Sequence, residues 1–317
     1  MKELIVFDHV GKTFNGKKAL ADVSFEIRTG EIFVLVGSSG SGKTTSLKMM
    51  NALQVPTDGD IYFKGKRVKE YDIQKLRWQM GYVLQQIALF PTMTVLENIE
   101  VIPEMLGWSK EKRNAKARSL LEAVHLEPDV YAKRMPSELS GGEQQRVGIL
   151  RALAAEPDVV LMDEPFSALD PISRDQLQNL LLDLHKQFKN TIVFVTHDMN
   201  EAMKLGDRIA VMHEGELIQC DTPENIALHP KSAFVAEFFK GTEKTWQPEG
   251  QPVSFLQEQG YVSHDTASEL PLAQTTTPIS GLFSQLAQAG GVRLDAETVL
   301  TAQDVLRYLA DSKEDAQ

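Results

Sequence analysis

Gly37-Ser38-Ser39-Gly40-Ser41-Gly42-Lys43-Thr44 follows an apolar run at residues 32–36 and precedes helical spacing at 45–53. The pattern G-x-x-x-x-G-K-[ST] between a strand and a helix predicts a loop that cradles phosphate. Its glycines let successive backbone N–H groups converge on phosphate oxygens, and the helix N-terminus adds a positive field. Lys43 then supplies a point charge to the outer phosphates, and the Thr44 hydroxyl a ligand for Mg²⁺. Further Val- and Ile-rich runs occupy 159–162, 192–195 and 209–212. They lack the alternation of half-exposed strands, as expected of a parallel sheet covered on both faces by helices. The first 30 residues alternate instead and carry Asn15-Gly16 and Thr29-Gly30, which predicts antiparallel strands ahead of the parallel core.

Two further strand ends carry chemistry. The run Val159-Val160-Leu161-Met162 closes on Asp163-Glu164, a costly place for two carboxylates unless something polar sits at that edge. Asp163 suits a metal's water shell, and Glu164 suits a general base that polarises an attacking water. The run at 192–195 closes on Thr196-His197-Asp198, so that Lys43, Glu164 and His197 share the sheet edge where open α/β folds bind ligands. Leu139-Ser140-Gly141-Gly142-Glu143 opens another helix with a hydroxyl and a glycine pair, a second anion-accepting N-terminus. A single site has no use for two cradles. The second therefore fits a symmetric dimer, with two nucleotides held between opposite chains.

In this order the elements resemble the ATP-binding subunit of an ABC transporter, over roughly residues 3–240. The resemblance implies a P-loop NTPase of the ABC type: α/β, with an N-terminal antiparallel β subdomain and a helical subdomain at about 86–150. It implies that Phe14 stacks on adenine and that residues 37–45, Gly37 through Thr45, bind ATP. Gln85 would reach the Mg²⁺ together with Thr44 and Asp163. Ser140, Gly141, Gly142 and Glu143 would meet the partner's ATP, and Asp170, in Ser167-Ala168-Leu169-Asp170, would link the two sites across a homodimer. Lys43, Glu164 and His197 would form the catalytic set.

Three longer stretches, at 81–91, 150–157 and 162–174, resemble the ATPases of osmoprotectant and quaternary-amine importers, those for glycine betaine, carnitine or choline. Such subunits work at the cytoplasmic face of the membrane, with separate permease subunits and a substrate-binding protein. Two positions depart from the common pattern: Glu143 where Gln is frequent, and Thr92 where His is frequent, in the stretch expected to face the permease. An importer ATPase for another small solute, such as an amino acid, and a soluble non-transport ABC protein are the alternatives. Against the latter, one cassette is present, with no long insertion in the 97 residues from Lys43 to Ser140.

Composition narrows these readings. The 317 residues are 42% hydrophobic and 24% charged, with 33 Lys and Arg against 44 Asp and Glu, a net charge of −11. That balance speaks against a nucleic-acid function built on a basic surface. Lone Cys220 makes no intrachain disulfide, which suggests a reducing compartment. No apolar run approaches the roughly 18 residues that cross a bilayer, and Met1-Lys2-Glu3-Leu4-Ile5 does not resemble a secretory signal. The basic run Lys110, Lys112, Arg113, Lys116 and Arg118 shares a helix with an apolar stripe and reads as a solvated face.

Charge also divides the chain. Residues 241–317 hold 11 acidic against 4 basic residues, so −7 of the net −11 lies in the last 77. A boundary is expected after Gly241, giving a nucleotide-binding domain at 1–241 and an acidic module at 242–317. Osmoprotectant ATPases often end in paired cystathionine-β-synthase (CBS) modules. This tail is too short for a pair, so a single shortened CBS-like α+β module is expected. In it, Thr301 would cap a helix with Asp304 at its third position. That spacing also resembles a CBS ribose-binding pair, but the cap alone explains both residues. Residues 263–278 read as a loop.

Overall fold

A computed structural model describes residues 2–86, 88–240, 253–264, 270–274, 276–277, 279–295 and 298–314. The chain divides into two compact units. One comprises Met1–Ile226 with Pro230–Phe238, the other Ala227–His229 with Phe239–Gln317. Residues 241–252, where the sequence puts the boundary, lie outside the described set.

The larger unit begins with an antiparallel hairpin, β1 (Glu3–Phe14) and β2 (Lys17–Arg28). Its two-residue turn is Asn15-Gly16, both with positive φ (47° and 80°), as a type I′ turn requires. Strands β4 (Asp58–Phe63) and β5 (Lys66–Arg67) extend this sheet in the order β2-β1-β4-β5. A second sheet runs β10-β9-β3-β8-β7-β6. It contains β3 (Ile32–Gly37), β6 (Met80–Val83), β7 (Val159–Asp163), β8 (Thr191–Thr196), β9 (Arg208–His213) and β10 (Glu216–Asp221). Strands β9, β3, β8, β7 and β6 are parallel, and β10 adds an antiparallel edge. Every residue of β3, β7 and β8 is buried, the pattern of strands covered on both faces. Phe7, Phe25 and Phe33 stack in a column, centroids 4.3 and 5.4 Å apart, fixing the hairpin against the strand that leads into the phosphate loop.

Helix α1 (Lys43–Met50) starts inside the glycine-rich loop, two residues earlier than the spacing suggests, and ends three residues sooner than Leu53. Helix α2 (Ile73–Trp78) precedes β6. The helical region begins only at α3 (Val95–Met105) and continues through α4 (Lys110–Ala123), α5 (Pro128–Tyr131) and α6 (Gly141–Leu153). Residues 88–94 are not helical, so the subdomain expected from 86 starts later. The basic face of α4 is largely paired: Arg113 with Glu100 and Glu104, Lys116 with Glu156, Arg118 with Asp129. Its Ala117, Leu120 and Leu121 are buried, as the apolar stripe predicts. Helix α7 (Pro171–Phe188) is capped by Asp170, whose carboxylate accepts the N–H groups of Ile172 and Ser173 at 3.1 Å. Helices α8 (Met199–Leu205), α9 (Pro223–Leu228) and α10 (Ala233–Phe239) follow.

The smaller unit is α+β. It contains α11 (Val253–Glu258), β11 (Ser263–His264), α12 (Phe283–Ala289), β12 (Gly291–Arg293), β13 (Thr298–Thr301) and α13 (Ala302–Glu314). The strands pair antiparallel in the order β11-β13-β12 over a separate core that includes Leu256, Leu286, Leu300 and Tyr308. The loop expected over 263–278 is thus corrected at its start. Ser263 and His264 pair with Val299 and Thr298, and residues 265–269, 275 and 278 lie outside the described set. Thr301 does cap α13, its hydroxyl accepting the Asp304 N–H while the Asp304 carboxylate accepts the Thr301 N–H. Among the described residues, no helix is long and apolar enough to cross a membrane.

Candidate nucleotide site

The phosphate loop is held by packing as well as by backbone freedom. Gly37 has φ 152°, and a Cβ there would lie 2.0 Å from the Met212 carbonyl oxygen. Gly42 has φ 97° at the N-cap of α1, where a Cβ would meet Leu20 at 2.4 Å. Neither position admits a side chain without moving a strand. Inside the loop the Lys43 ammonium donates to the carbonyls of Gly37 and Ser38, each at 2.8 Å, with Ser41 Oγ at 3.5 Å. Lys43 is only 6% exposed. Burial lowers its pKa, while the charges of Glu164 and Asp163 pull it back up.

From β7, the neighbour of β8, Asp163 presents a buried carboxylate that accepts the Thr44 hydroxyl proton at 2.8 Å. Two of the three expected metal ligands, Thr44 and Asp163, therefore touch directly, while Gln85 contacts Glu164 instead. Thr44 and Asp163 are hard oxygen donors, the kind Mg²⁺ prefers, and it commonly takes one or two of them alongside phosphate and water. Among the described residues no cluster of three His, Cys, Asp or Glu could hold a metal without such help.

Glu164 follows in a left-handed conformation (φ 46°), its N–H donating to Val195 O at 3.1 Å. For a residue with a Cβ this is an uncommon, strained conformation, and the tie to β8 maintains it. The carboxylate oxygen Oε2 lies 3.2 Å from His197 Nδ1 and 3.4 Å from Gln85 Nε2, which donates to it. A carboxylate so flanked can accept a proton from a water on its open side, and an imidazole at that distance can hold it in place. Phe14, 40% exposed, joins Lys17, Lys18, Gly40, Thr45, Glu164 and His197 around a cleft of about 730 Å³. The Lys12 ammonium lies 4.9 Å from the Phe14 ring centroid.

Ser140 and Glu143 do not line this cleft within the chain. Ser140 is the N-cap of α6: its hydroxyl accepts the Glu143 N–H at 3.3 Å, and Glu143 Oε2 accepts the Ser140 N–H at 2.7 Å. No atom lies within 4 Å of a Cβ built on Gly141, so that face of the helix N-terminus is open. Asp170 is likewise exposed, its hydrogen bonds with Ser173 holding the carboxyl below the ordinary aspartate value.

Several supporting residues escaped the sequence reading. The Tyr131 hydroxyl donates to Glu143 Oε1 at 2.7 Å, and the Arg134 guanidinium sits 4.4 Å from the Tyr131 ring. Gln145, one turn into α6, donates to Pro165 O at 2.8 Å, tying that helix to the segment after Glu164. Arg151, near the far end of α6, donates to Ala88 O at 2.7 Å. It borders an apolar groove of about 670 Å³ with Trp78, Leu84, Phe90 and Met105. No local signal marks Tyr131, Gln145 or Arg151, because each acts on a partner 12 or more residues away.

The ABC transporter family profile matches residues 20–167. The carnitine transport ATP-binding protein OpuCA of Listeria monocytogenes is 50% identical over 236 residues, covering 74% of this chain and 59% of that protein. The glycine betaine uptake system ATP-binding protein YehX of Escherichia coli is 42% identical over 240 residues, covering 76% of this chain and 78% of that one. A solved dimer of the ATP-binding cassette MJ0796, in a post-hydrolysis state with ADP and Pi, is 35% identical. It superposes with a TM-score of 0.61 over 69% of this chain and 99% of that one. The chain spans about six-tenths of the length of the first curated relatives it matches. With a P-loop, an Asp-Glu strand end and a capped Ser-Gly-Gly helix in one cassette, and relatives at these identities, the chain belongs to the ABC transporter ATP-binding family.

Proposed function

We propose that this chain is the ATP-hydrolysing subunit of a binding-protein-dependent ABC importer for an osmoprotectant or other quaternary amine. The observation that carries the hydrolytic part is the convergence on Glu164. Its Oε2 lies within 3.4 Å of both His197 and Gln85, at the edge that also presents Lys43 and the hydrogen-bonded pair Thr44 and Asp163. Phe14 stacks on the adenine, the loop from Gly37 to Thr45 wraps the phosphates, and Lys43 pairs with the β and γ oxygens. Thr44, Asp163 and Gln85 would hold Mg²⁺, which would supply positive charge to the phosphates. Glu164 takes the proton of the attacking water, and His197 keeps that carboxylate in line with the γ-phosphate.

The open N-terminus of α6 supports engagement of a partner's nucleotide by Ser140, Gly141, Gly142 and Glu143, with Asp170 beside it at the dimer seam. The apolar groove near Phe90 and Met105 supports a docking role toward a permease. It is concave and greasy, with Leu84, Phe90 and Met105 each at least 45% exposed. That docking implies a peripheral position on the cytoplasmic face, with a substrate-binding protein upstream. The carnitine and glycine betaine in the relatives' names support the quaternary-amine assignment, since no group in this site would meet the solute.

We read residues 1–241 as the nucleotide-binding domain and 242–317 as a shortened CBS-like module. Asp304 spends its carboxylate on Thr301 and Ser263, which favours packing over nucleotide sensing.

The test is ATPase activity of the complex purified with its permease. Glu164→Gln should keep ATP binding, accumulate the closed dimer and lower turnover by about a hundredfold or more; undiminished turnover refutes the base assignment. Stimulation by quaternary amines supports the solute class, and stimulation by an amino acid or sugar instead overturns it.

A further inference from the structure

Behind the Glu164–His197 pair lies a cluster that the proposed mechanism leaves unused. Arg174, on the first turn of α7, donates from Nη2 to Leu169 O at 3.2 Å. Its Nη1 lies 3.7 Å from Asp198 Oδ2, and its Nε lies 4.0 Å from Glu201 Oε1. Nε is buried without a hydrogen-bond partner among the described residues, and Arg174 lines a small cavity of about 40 Å³ together with Glu164, His197 and Glu201. Glu201 is 5% exposed and accepts the Thr196 hydroxyl proton at 2.5 Å, while Thr196 Oγ1 accepts the Asp198 N–H at 3.0 Å. Burial raises the Glu201 carboxyl above its usual range, against the pull of Arg174.

These contacts have one geometric consequence. Leu169 and Asp170 belong to the segment leaving Glu164, and Thr196 to Asp198 form the turn that carries His197. Both segments leave parallel strands as irregular backbone, joined at their base by the Glu164 N–H to Val195 O bond. Arg174 contacts both segments and does not line the nucleotide cleft. A guanidinium has the planar, multi-donor fork needed to serve two directions at once, which an ammonium lacks.

We propose that Arg174 is a positioning residue that ties the Asp170 segment to the His197 turn, so that the Glu164–His197 geometry follows the position of Asp170. This rests on the reading above of Glu164, His197 and Asp170. It adds a route by which closure at the dimer seam sets the base and its imidazole in register within the same chain.

The experiment is steady-state hydrolysis and nucleotide binding by the full chain, comparing wild type with Arg174→Ala, Arg174→Lys and Asp198→Asn. Arg174→Ala should lower kcat by about ten- to a hundredfold, the cost of a misplacement near 1 Å. KM should stay within about twofold, as for an interaction lost only in the transition state. Arg174→Lys should remain below wild type. Asp198→Asn removes the carboxylate facing Arg174 but keeps an N-cap of equal quality for α8; it should lower kcat in the same sense, and it carries the test if Arg174→Ala does not fold. Wild-type kcat in both Arg174→Ala and Asp198→Asn overturns the proposal. So does full turnover in Arg174→Lys, or a raised KM at unchanged kcat. A wild-type chain that binds no ATP, or a Glu164→Gln chain as active as wild type, defeats the site reading instead.

Discussion

Glu143 places a carboxylate on the first turn of α6, at the helix end proposed to meet a partner's phosphate. Burial pushes its carboxyl up, but the hydrogen bonds from Tyr131 and Ser140 and the charge of Arg134 outweigh burial and hold it below the ordinary glutamate value. It is therefore ionised at neutral pH. Its negative charge suits the helix dipole and opposes an incoming triphosphate. Glutamine would keep a carbonyl oxygen to accept the Ser140 N–H, could donate its amide N–H to the Tyr131 hydroxyl, and would remove the charge. Glu143→Gln should then lower the ATP concentration for half-maximal dimerisation, read by size-exclusion chromatography on a Glu164→Gln background. Tyr131→Phe does the reverse: the carboxylate stays but loses a donor, so dimerisation should need more ATP. If the two substitutions shift dimerisation in the same direction, charge at this helix end does not control it. The sequence shows Glu143 as an exception to the common pattern, yet it hides Tyr131 and Arg134, which pack against it through the fold.

Helix α6 joins three regions that the sequence presents as separate motifs. Its first turn carries Ser140 and Glu143, its second places Gln145 on Pro165, and its last places Arg151 on Ala88 and 5.5 Å from the Phe90 ring. Burial alone holds the Arg151 pKa below the usual arginine value. Replacing this residue should loosen the segment after Gln85 without touching the nucleotide cleft. Arg151→Ala is expected to leave the basal ATPase of the isolated chain within about twofold while weakening recovery of permease in pull-downs, because the groove loses its polar anchor at one wall. A variant that hydrolyses ATP poorly on its own but binds permease normally would detach the groove from partner docking. The strands bordering this region show where the sequence pattern runs out. β3, β7, β8 and β9 announce themselves as apolar runs because both of their faces are covered; the antiparallel sheet shares one of those faces, where the sequence pattern predicts helices alone. β6 is four residues long, with Gly81 and Tyr82 in its middle, and its pairing depends on β7. Gly81 lets α6 approach: a Cβ there would lie 2.5 Å from Ala152 O. β10 is an edge strand of mixed polarity, and β11 and β12 are two and three residues long, too short for periodicity to register.

At the scale of the whole molecule, the described residues on either side of the charge step near residue 241 belong to separate hydrophobic clusters. The cassette core gathers Phe7, Phe33, Leu47, Leu161 and Val193, while the C-terminal core gathers Leu256, Ile279, Leu286, Leu300 and Tyr308. The two differ in how much surface they can bury. A chain of about 240 residues buries roughly 70% or more of its unfolded surface, whereas one of about 77 buries nearer 60% and is marginal. The cassette should thus fold without the tail, but the tail alone should be poorly stable. A 1–241 fragment is expected to remain soluble, bind ATP and hydrolyse it within about twofold of the full chain, as for any module whose loss leaves catalytic groups in place. Calorimetry of the full chain should give a transition that the fragment retains and a weaker one that it lacks, since separate cores need not melt together. An insoluble or nucleotide-blind fragment would mean that tail residues complete the cassette and that the boundary lies elsewhere. Loss of ATP-driven dimerisation with turnover per site intact would instead assign the acidic module to holding two copies together.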